Sequence, residues 1–306
     1  MRHLRILTAT LVSGVLVSAL VACGSDTERP SIVVTTNILG DVVSQLVGDS
    51  ADVQVLMKPN ADPHSFGISA REAGDMQQAD LIVANGLGLE EGLGSNLDNA
   101  REEGVDVLEV GEEVDPLPYA SGGDEGDLDP HFWTDPGRMV TAAGIIADHL
   151  AGAVDGDVGE EIRSSAETYR AELDDLDTEV SELLGSVPQD RRKLVTNHHV
   201  FGYLADRFGY DVIGTVIPGG TTLAAPSAAD LRDLSTTIRD NRVPAIFADS
   251  SQPQRLADVL ADEAESPSMS SPCSPNRSLS RMVRQGPTST CNAQTPSASV
   301  MRSADT

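Results

Sequence analysis

With 306 residues, 40% of them hydrophobic, the chain is large enough for two lobes of about 100–150 residues, each with its own core, which excludes a wholly disordered protein. Its 48 acidic and 21 basic side chains give a formal charge of −27, which excludes nucleic acid as a partner because phosphates need Lys and Arg to neutralise them. A cationic partner fits this charge, and so does a purely solubilising role for most of the carboxylates.

The first segment has the layout of a secretory leader. Arg2, His3 and Arg5 precede an apolar run over residues 6–22, too short for a stable membrane span. The run ends in Leu20-Val21-Ala22-Cys23-Gly24-Ser25, which resembles a bacterial lipobox and would make Cys23 the lipidated N-terminus. Residues 1–22 are therefore expected to be a signal peptide, and the short polar stretch 23–30 a membrane tether. The other cysteines, Cys273 and Cys291, lie near the C-terminus, so the folded part has neither a disulfide framework nor a thiolate metal site.

From Ser31 onward, β-branched runs alternate with helical ones. Ile32-Val33-Val34-Thr35-Thr36 is followed by an amphipathic stretch over 38–47, then by Val53-Gln54-Val55-Leu56-Met57. A helical segment over 69–78 and the apolar run Leu81-Ile82-Val83-Ala84, ending at Asn85-Gly86, continue the pattern. Such βαβα order predicts a parallel sheet covered by helices, with ligands beyond the strand C-termini. Residues 159–185 hold no internal Pro or Gly. Their apolar positions Ile162, Ala166, Tyr169, Leu173, Leu176, Val180 and Leu183 step by four and three, which predicts one helix of about 40 Å linking two lobes. A coiled-coil dimer would use the same stripe. After Pro188 the alternation resumes: Lys193-Leu194-Val195-Thr196, a helix near 200–208, Val212-Ile213-Gly214, a helix near 228–241, and Ala245-Ile246-Phe247-Ala248. The expected architecture is two Rossmann-like α/β lobes, 31–156 and 187–263, joined by one long helix over 157–186.

Three histidines stand beyond strand-like runs or in Pro-bounded loops: His64 in Asp62-Pro63-His64, His131 in Asp129-Pro130-His131-Phe132-Trp133, and His198 in Thr196-Asn197-His198. Each alone reads as a surface or structural residue. Together they can aim three neutral imidazoles into one cleft, a donor set suited to Zn2+ with an oxygen as fourth ligand. Asp62 and Asp129, two residues earlier, are placed to orient their histidines. His3, His149 and His199 are left out of the site; His199 should point away from His198 in extended chain.

These segments carry a resemblance. Val34-Thr35-Thr36-Asn37-Ile38, Lys58-Pro59-Asn60-Ala61-Asp62-Pro63-His64-Ser65-Phe66, Leu128-Asp129-Pro130-His131-Phe132-Trp133-Thr134-Asp135-Pro136, Thr196-Asn197-His198-His199-Val200-Phe201-Gly202-Tyr203 and Ala225-Pro226-Ser227-Ala228-Ala229-Asp230-Leu231 resemble, in order and spacing, the zinc and manganese receptors of ABC importers. The resemblance covers roughly residues 32–263. It implies a metal site in the interlobe cleft, with His64 and His131 from the first lobe and His198 from the second, and a stiff molecule that moves by modest lobe adjustments. It also implies a monomeric, extracytoplasmic lipoprotein that hands its cargo to an ABC permease. Members with a carboxylate at the third position look suited to Mn2+, so His198 favours Zn2+. Affinity is expected to fall as the histidines protonate below about pH 6. Against zinc, residues 116–128 hold Asp124, Glu125 and Asp127 but none of the histidines that zinc receptors often carry there.

The resemblance implies a fourth ligand, an Asp in a Gly-Ala-Asp-Thr-Tyr-like segment near the C-terminus, which is missing here. Residues 264–306 instead become rich in Ser, Pro, Thr and Arg and lose periodicity, the composition of a disordered tail. Read one base earlier, codons for Pro272-Cys273-Ser274-Pro275-Asn276-Arg277-Ser278 permit Ala-Leu-Phe-Thr-Glu-Ser-Leu. Those for Gly286-Pro287-Thr288-Ser289-Thr290-Cys291-Asn292 permit Gly-Ala-Asp-Ile-Tyr-Leu-Gln. Both resemble the family's final strand and ligand loop, so a frameshift is expected to have replaced them. The second lobe would then be incomplete, with a bare sheet edge and with water or Asp249 as fourth ligand. Two other functions share these residues: a zinc hydrolase, since water on a zinc held by three histidines is also a catalytic arrangement, and a surface adhesin on the same fold.

Overall fold

The computed structural model describes residues 29–119, 126–154, 157–247 and 255–264, together with the two-residue strand Ser268–Met269. Cys23, Asp249 and nearly all of the C-terminal tail lie outside the described residues.

Two parallel four-stranded sheets form the framework. In the first lobe, β1 (Ser31–Val34), β2 (Asp52–Val55), β3 (Leu81–Ala84) and β4 (Asp106–Glu109) lie in the order β2-β1-β3-β4. The central strands are almost continuously apolar because helices cover both faces. Alternate residues divide between those faces. Ile32, Val34, Leu81 and Val83 enter one core cluster, Val33, Ile82 and Ala84 another. Helices α1 (Asn37–Val47), α2 (Ala70–Met76), α3 (Gly94–Glu102) and α4 (Pro136–Ala153) complete this lobe. Ser69 and Glu72 start α2 with a reciprocal capping box, and Asp135 caps α4 ahead of Pro136.

Helix α5 (Asp157–Gly185) runs 29 residues. Its apolar stripe is spent on the first lobe. Ile162, Ala166, Tyr169, Leu173 and Leu176 are buried in the cluster that holds α1 and α4, while Leu183 is 48% exposed. The same stripe is therefore taken up inside the chain, not by a coiled-coil partner. The last turn of α5 meets the second lobe, where Arg192 donates to Gly185 O and Val187 O, both at 2.8 Å, and Tyr210 Oη to Leu184 O at 3.1 Å.

The second sheet has the order β6-β5-β7-β8, from β5 (Lys193–Thr196), β6 (Asp211–Thr215), β7 (Ile246–Phe247) and β8 (Ser268–Met269). Helices α6 (Gly202–Phe208), α7 (Ala228–Asn241) and α8 (Arg255–Ala264) accompany it. The core here is smaller: Val195, Val216, Ile238, Ile246 and Leu260 with a few small neighbours. The bare edge expected beside β7 is covered by β8, two residues of the segment assigned to the aberrant tail.

The two lobes meet along α6, which follows β5 in sequence but docks on the first lobe. Tyr203, 1% exposed, and Val200 belong to the first lobe's core cluster. Arg207 pairs with Asp135 at 2.9 Å and with Asp177 of α5 at 2.5 Å. Gly137 makes room for this guanidinium, since a Cβ there would collide with it. Among the described residues, no helix is long and apolar enough to cross a membrane.

Candidate metal centre

Each of the three histidines is presented by a locally fixed turn. In the loop after β2, Asp62 accepts from the backbone N–H of His64 at 3.0 Å and from Ser65 Oγ at 3.0 Å. Asp62 thus shapes the turn that carries His64, and Thr222 Oγ1 of the second lobe donates to it as well. Asp129 lies against His131. Its Oδ1 lies 2.7 Å from Nδ1 of His131 and accepts from the His131 backbone N–H at 2.9 Å. His198 follows β5, where its carbonyl accepts from Thr196 Oγ1 at 2.6 Å and from Val200 N–H at 2.9 Å.

These turns bring together the three histidines singled out in the sequence. One nitrogen of each lies within 4.8 Å of the others, and Nε2 of His64 is 3.1 Å from Nε2 of His131. Tetrahedral zinc with bonds of about 2.0–2.1 Å spaces its nitrogen ligands by roughly 3.3 Å, so small side-chain movements complete such a shell. All three rings are almost fully buried, and His131 also packs edge-on to Trp133 at 5.2 Å between centroids. His199 faces Tyr119 at 5.9 Å instead, and His149 pairs with Asp106 at 2.7 Å on the surface.

Burial sets the charge state of the cluster. It lowers His64 from 6.5 to about 4, helped by repulsion from His131, and lowers His131 to about 3, helped by repulsion from His199. His198 also falls well below 6.5, from burial first and then its two histidine neighbours. The expected protonation below about pH 6 therefore gives way to a later one. These imidazoles stay neutral in mildly acidic solution, ready to donate lone pairs. Asp129 moves oppositely, burial raising it to about 7 against the hydrogen bond from His131 N–H.

The sequence reading missed several groups around the cluster. Glu91 places Oε1 3.9 Å from His64 Nδ1 and is 39% exposed, so it adds negative charge at the rim. Glu90 is buried and accepts from Thr35 Oγ1 at 2.5 Å, Asn85 N–H at 2.8 Å and Gly86 N–H at 3.3 Å. Burial raises its pKa. A signal was present, since these two acids lie in the Gly-rich loop that follows β3, at the kind of strand terminus where ligands gather.

Known proteins carry the same layout. A family profile described as "Zinc-uptake complex component A periplasmic" matches residues 32–285, which extends past residue 263, where the resemblance was expected to end. The zinc-binding protein TroA of Treponema pallidum is 30% identical over 265 residues, covering 85% of this chain and 84% of its own. The manganese-binding lipoprotein MntA of Halalkalibacterium halodurans is 27% identical over 260 residues, covering 82% and 84%. A solved structure of the Treponema pallidum protein superposes with a TM-score of 0.71 at 29% identity, over 79% of this chain and 87% of that one. The names of these relatives describe metal binding, not catalysis or adhesion.

Proposed function

The chain belongs to the zinc-uptake component A family, the periplasmic metal-binding components of ABC metal-uptake systems, and on that premise we propose that it captures Zn2+ in preference to Mn2+ on His64, His131 and His198 and delivers it to an ABC permease. The observation that carries this reading is the convergence of three buried imidazoles, two from the first lobe and one from the second. Three uncharged nitrogen donors suit zinc better than manganese, which prefers oxygen ligands. Water or Asp249 supplies the fourth ligand.

Capture follows from the residues' own chemistry. The imidazoles are already desolvated and neutral, so the ion meets lone pairs without first displacing protons from His64 or His198. Asp129 holds His131 by Nδ1, leaving Nε2 to face the ion, and its carboxylate charge stabilises the cationic complex. The α6 seam ties the lobes together, so release proceeds by modest lobe adjustments, not by wide hinge opening.

Upstream, residues 1–22 are a leader and Cys23 carries the lipid that holds a monomeric receptor on the outer side of the cell membrane. Downstream, a frameshift accounts for the missing aspartate; an intact reading frame in the resequenced locus would overturn that part. The function itself is tested by equilibrium dialysis of the full chain against Zn2+ and Mn2+ in competition, with ester hydrolysis measured on the zinc-loaded protein. One tightly held zinc without turnover is the expected result. Preferential retention of manganese overturns the metal choice, and turnover well above the zinc-free control overturns the receptor in favour of a hydrolase.

A further inference from the structure

The turn Asp129-Pro130-His131 is buried, yet Pro130 lacks an N–H and the two carbonyls preceding His131 have to find donors elsewhere. They find one in each direction. Asp129 O accepts from Tyr203 Oη of α6 at 2.7 Å, and Pro130 O accepts from Asn85 Nδ2 at 3.1 Å. We propose that Tyr203 and Asn85 are a pair of positioning residues that brace this turn from opposite sides, and that through Tyr203 the docking of α6 sets the aim of His131. This rests on His131 being a metal ligand, but the brace itself is a property of the metal-free fold.

The geometry leaves Tyr203 little freedom. Its hydroxyl also accepts from Leu117 N–H at 3.1 Å, so its one proton is committed to Asp129 O. Its ring is held in the first-lobe core beneath the Arg138 guanidinium, 5.7 Å from the ring centroid. The preceding residue fits the same turn. A Cβ at Gly202 would press on Asp129 Oδ2, the carboxylate that holds His131. On the other side Glu90 fixes the backbone of Asn85 and Gly86, which keeps the amide aimed at Pro130. The segment from His198 to Tyr203 therefore does two things: it brings the third imidazole and it secures the second.

The test compares Tyr203→Phe, Asn85→Ala and, as a control, Tyr210→Phe, which removes a tyrosine hydroxyl bonded to Leu184 O at 3.1 Å. Two readouts are taken on the full chain: the imidazole NMR resonances of His131 without metal, and zinc affinity by chelator competition. Tyr203→Phe and Asn85→Ala should each shift the His131 resonances and weaken zinc by about ten- to a hundredfold, the usual cost of losing an outer hydrogen-bond partner. Tyr210→Phe should change neither. Unmoved His131 resonances in both site variants, or equal shifts in the control, overturn the brace. Should the wild-type chain bind no zinc, the receptor reading falls while the resonances still decide this one.

Discussion

The two lobes contribute unequally to the same site. The first supplies two histidines, the carboxylate that orients one of them, and a core in which α1, α4 and α5 close over one sheet face. The second supplies one histidine from the end of β5, over a smaller core. Its best-buried aromatic, Tyr203, is lodged in the other lobe. The difference teaches that the cleft is not a hinge between equal halves. The first lobe is the larger packed body, and the second is attached to it along α6, next to the turn that carries His198.

The strongest way to break this comparison is to remove a proposed ligand from each side. His131→Ala and His198→Ala should each weaken zinc by roughly a thousandfold, about one ligand's share of a typical zinc binding energy, as read by chelator competition. If the His198 variant binds like the wild type, the second lobe is not part of the site. The bases of the two lobes can be compared next. Leu173→Ala, at a fully buried point of α5, should destabilise the chain by about 3 kcal/mol in urea unfolding and affect both lobes. Leu260→Ala, in the small second core, should loosen amide protection in the second lobe while leaving β1 and β3 protected.

Asp129→Asn ranks below these. It should cost about ten- to a hundredfold in affinity. It should also change the pH dependence, and the sign can be worked out. Below about pH 7 the free protein holds a proton on Asp129 that the metal complex lacks. Binding then releases it, so wild-type affinity should be flat above pH 7 and fall about tenfold per unit as the pH drops. Near pH 4 protonation of His64 should steepen the fall. The Asn variant should lose the upper limb and keep the lower one. The smallest effect belongs to Leu183→Ala, on the exposed end of α5, where unfolding free energy should shift by less than about 0.5 kcal/mol.

Much of this was legible in the sequence because its strongest signals are periodic or chemically distinctive. The buried runs of β1 and β3 and the stripe of α5 announce themselves, and the two Asp-Pro-His turns together with Asn197-His198 mark the cluster. Other parts were hidden. The edge strand β4 is half-buried with acids at both ends, so it carries no clear apolar run. Asp62 could be placed near His64, but only the coordinates show it serving the backbone of the turn. The delayed protonation could not be foreseen either, because it follows from how deeply the rings are buried. The docking of α6 was hidden for a related reason: its hydrophobic residues give no indication of which lobe they enter.

The central claim is that three imidazoles drawn from both lobes hold the ion, and X-ray absorption at the zinc edge of the loaded full chain tests it most directly. The account predicts a four-coordinate shell with three histidine nitrogens at about 2.0 Å and one oxygen. A shell with fewer than three imidazoles, or one unchanged in His198→Ala, would contradict it.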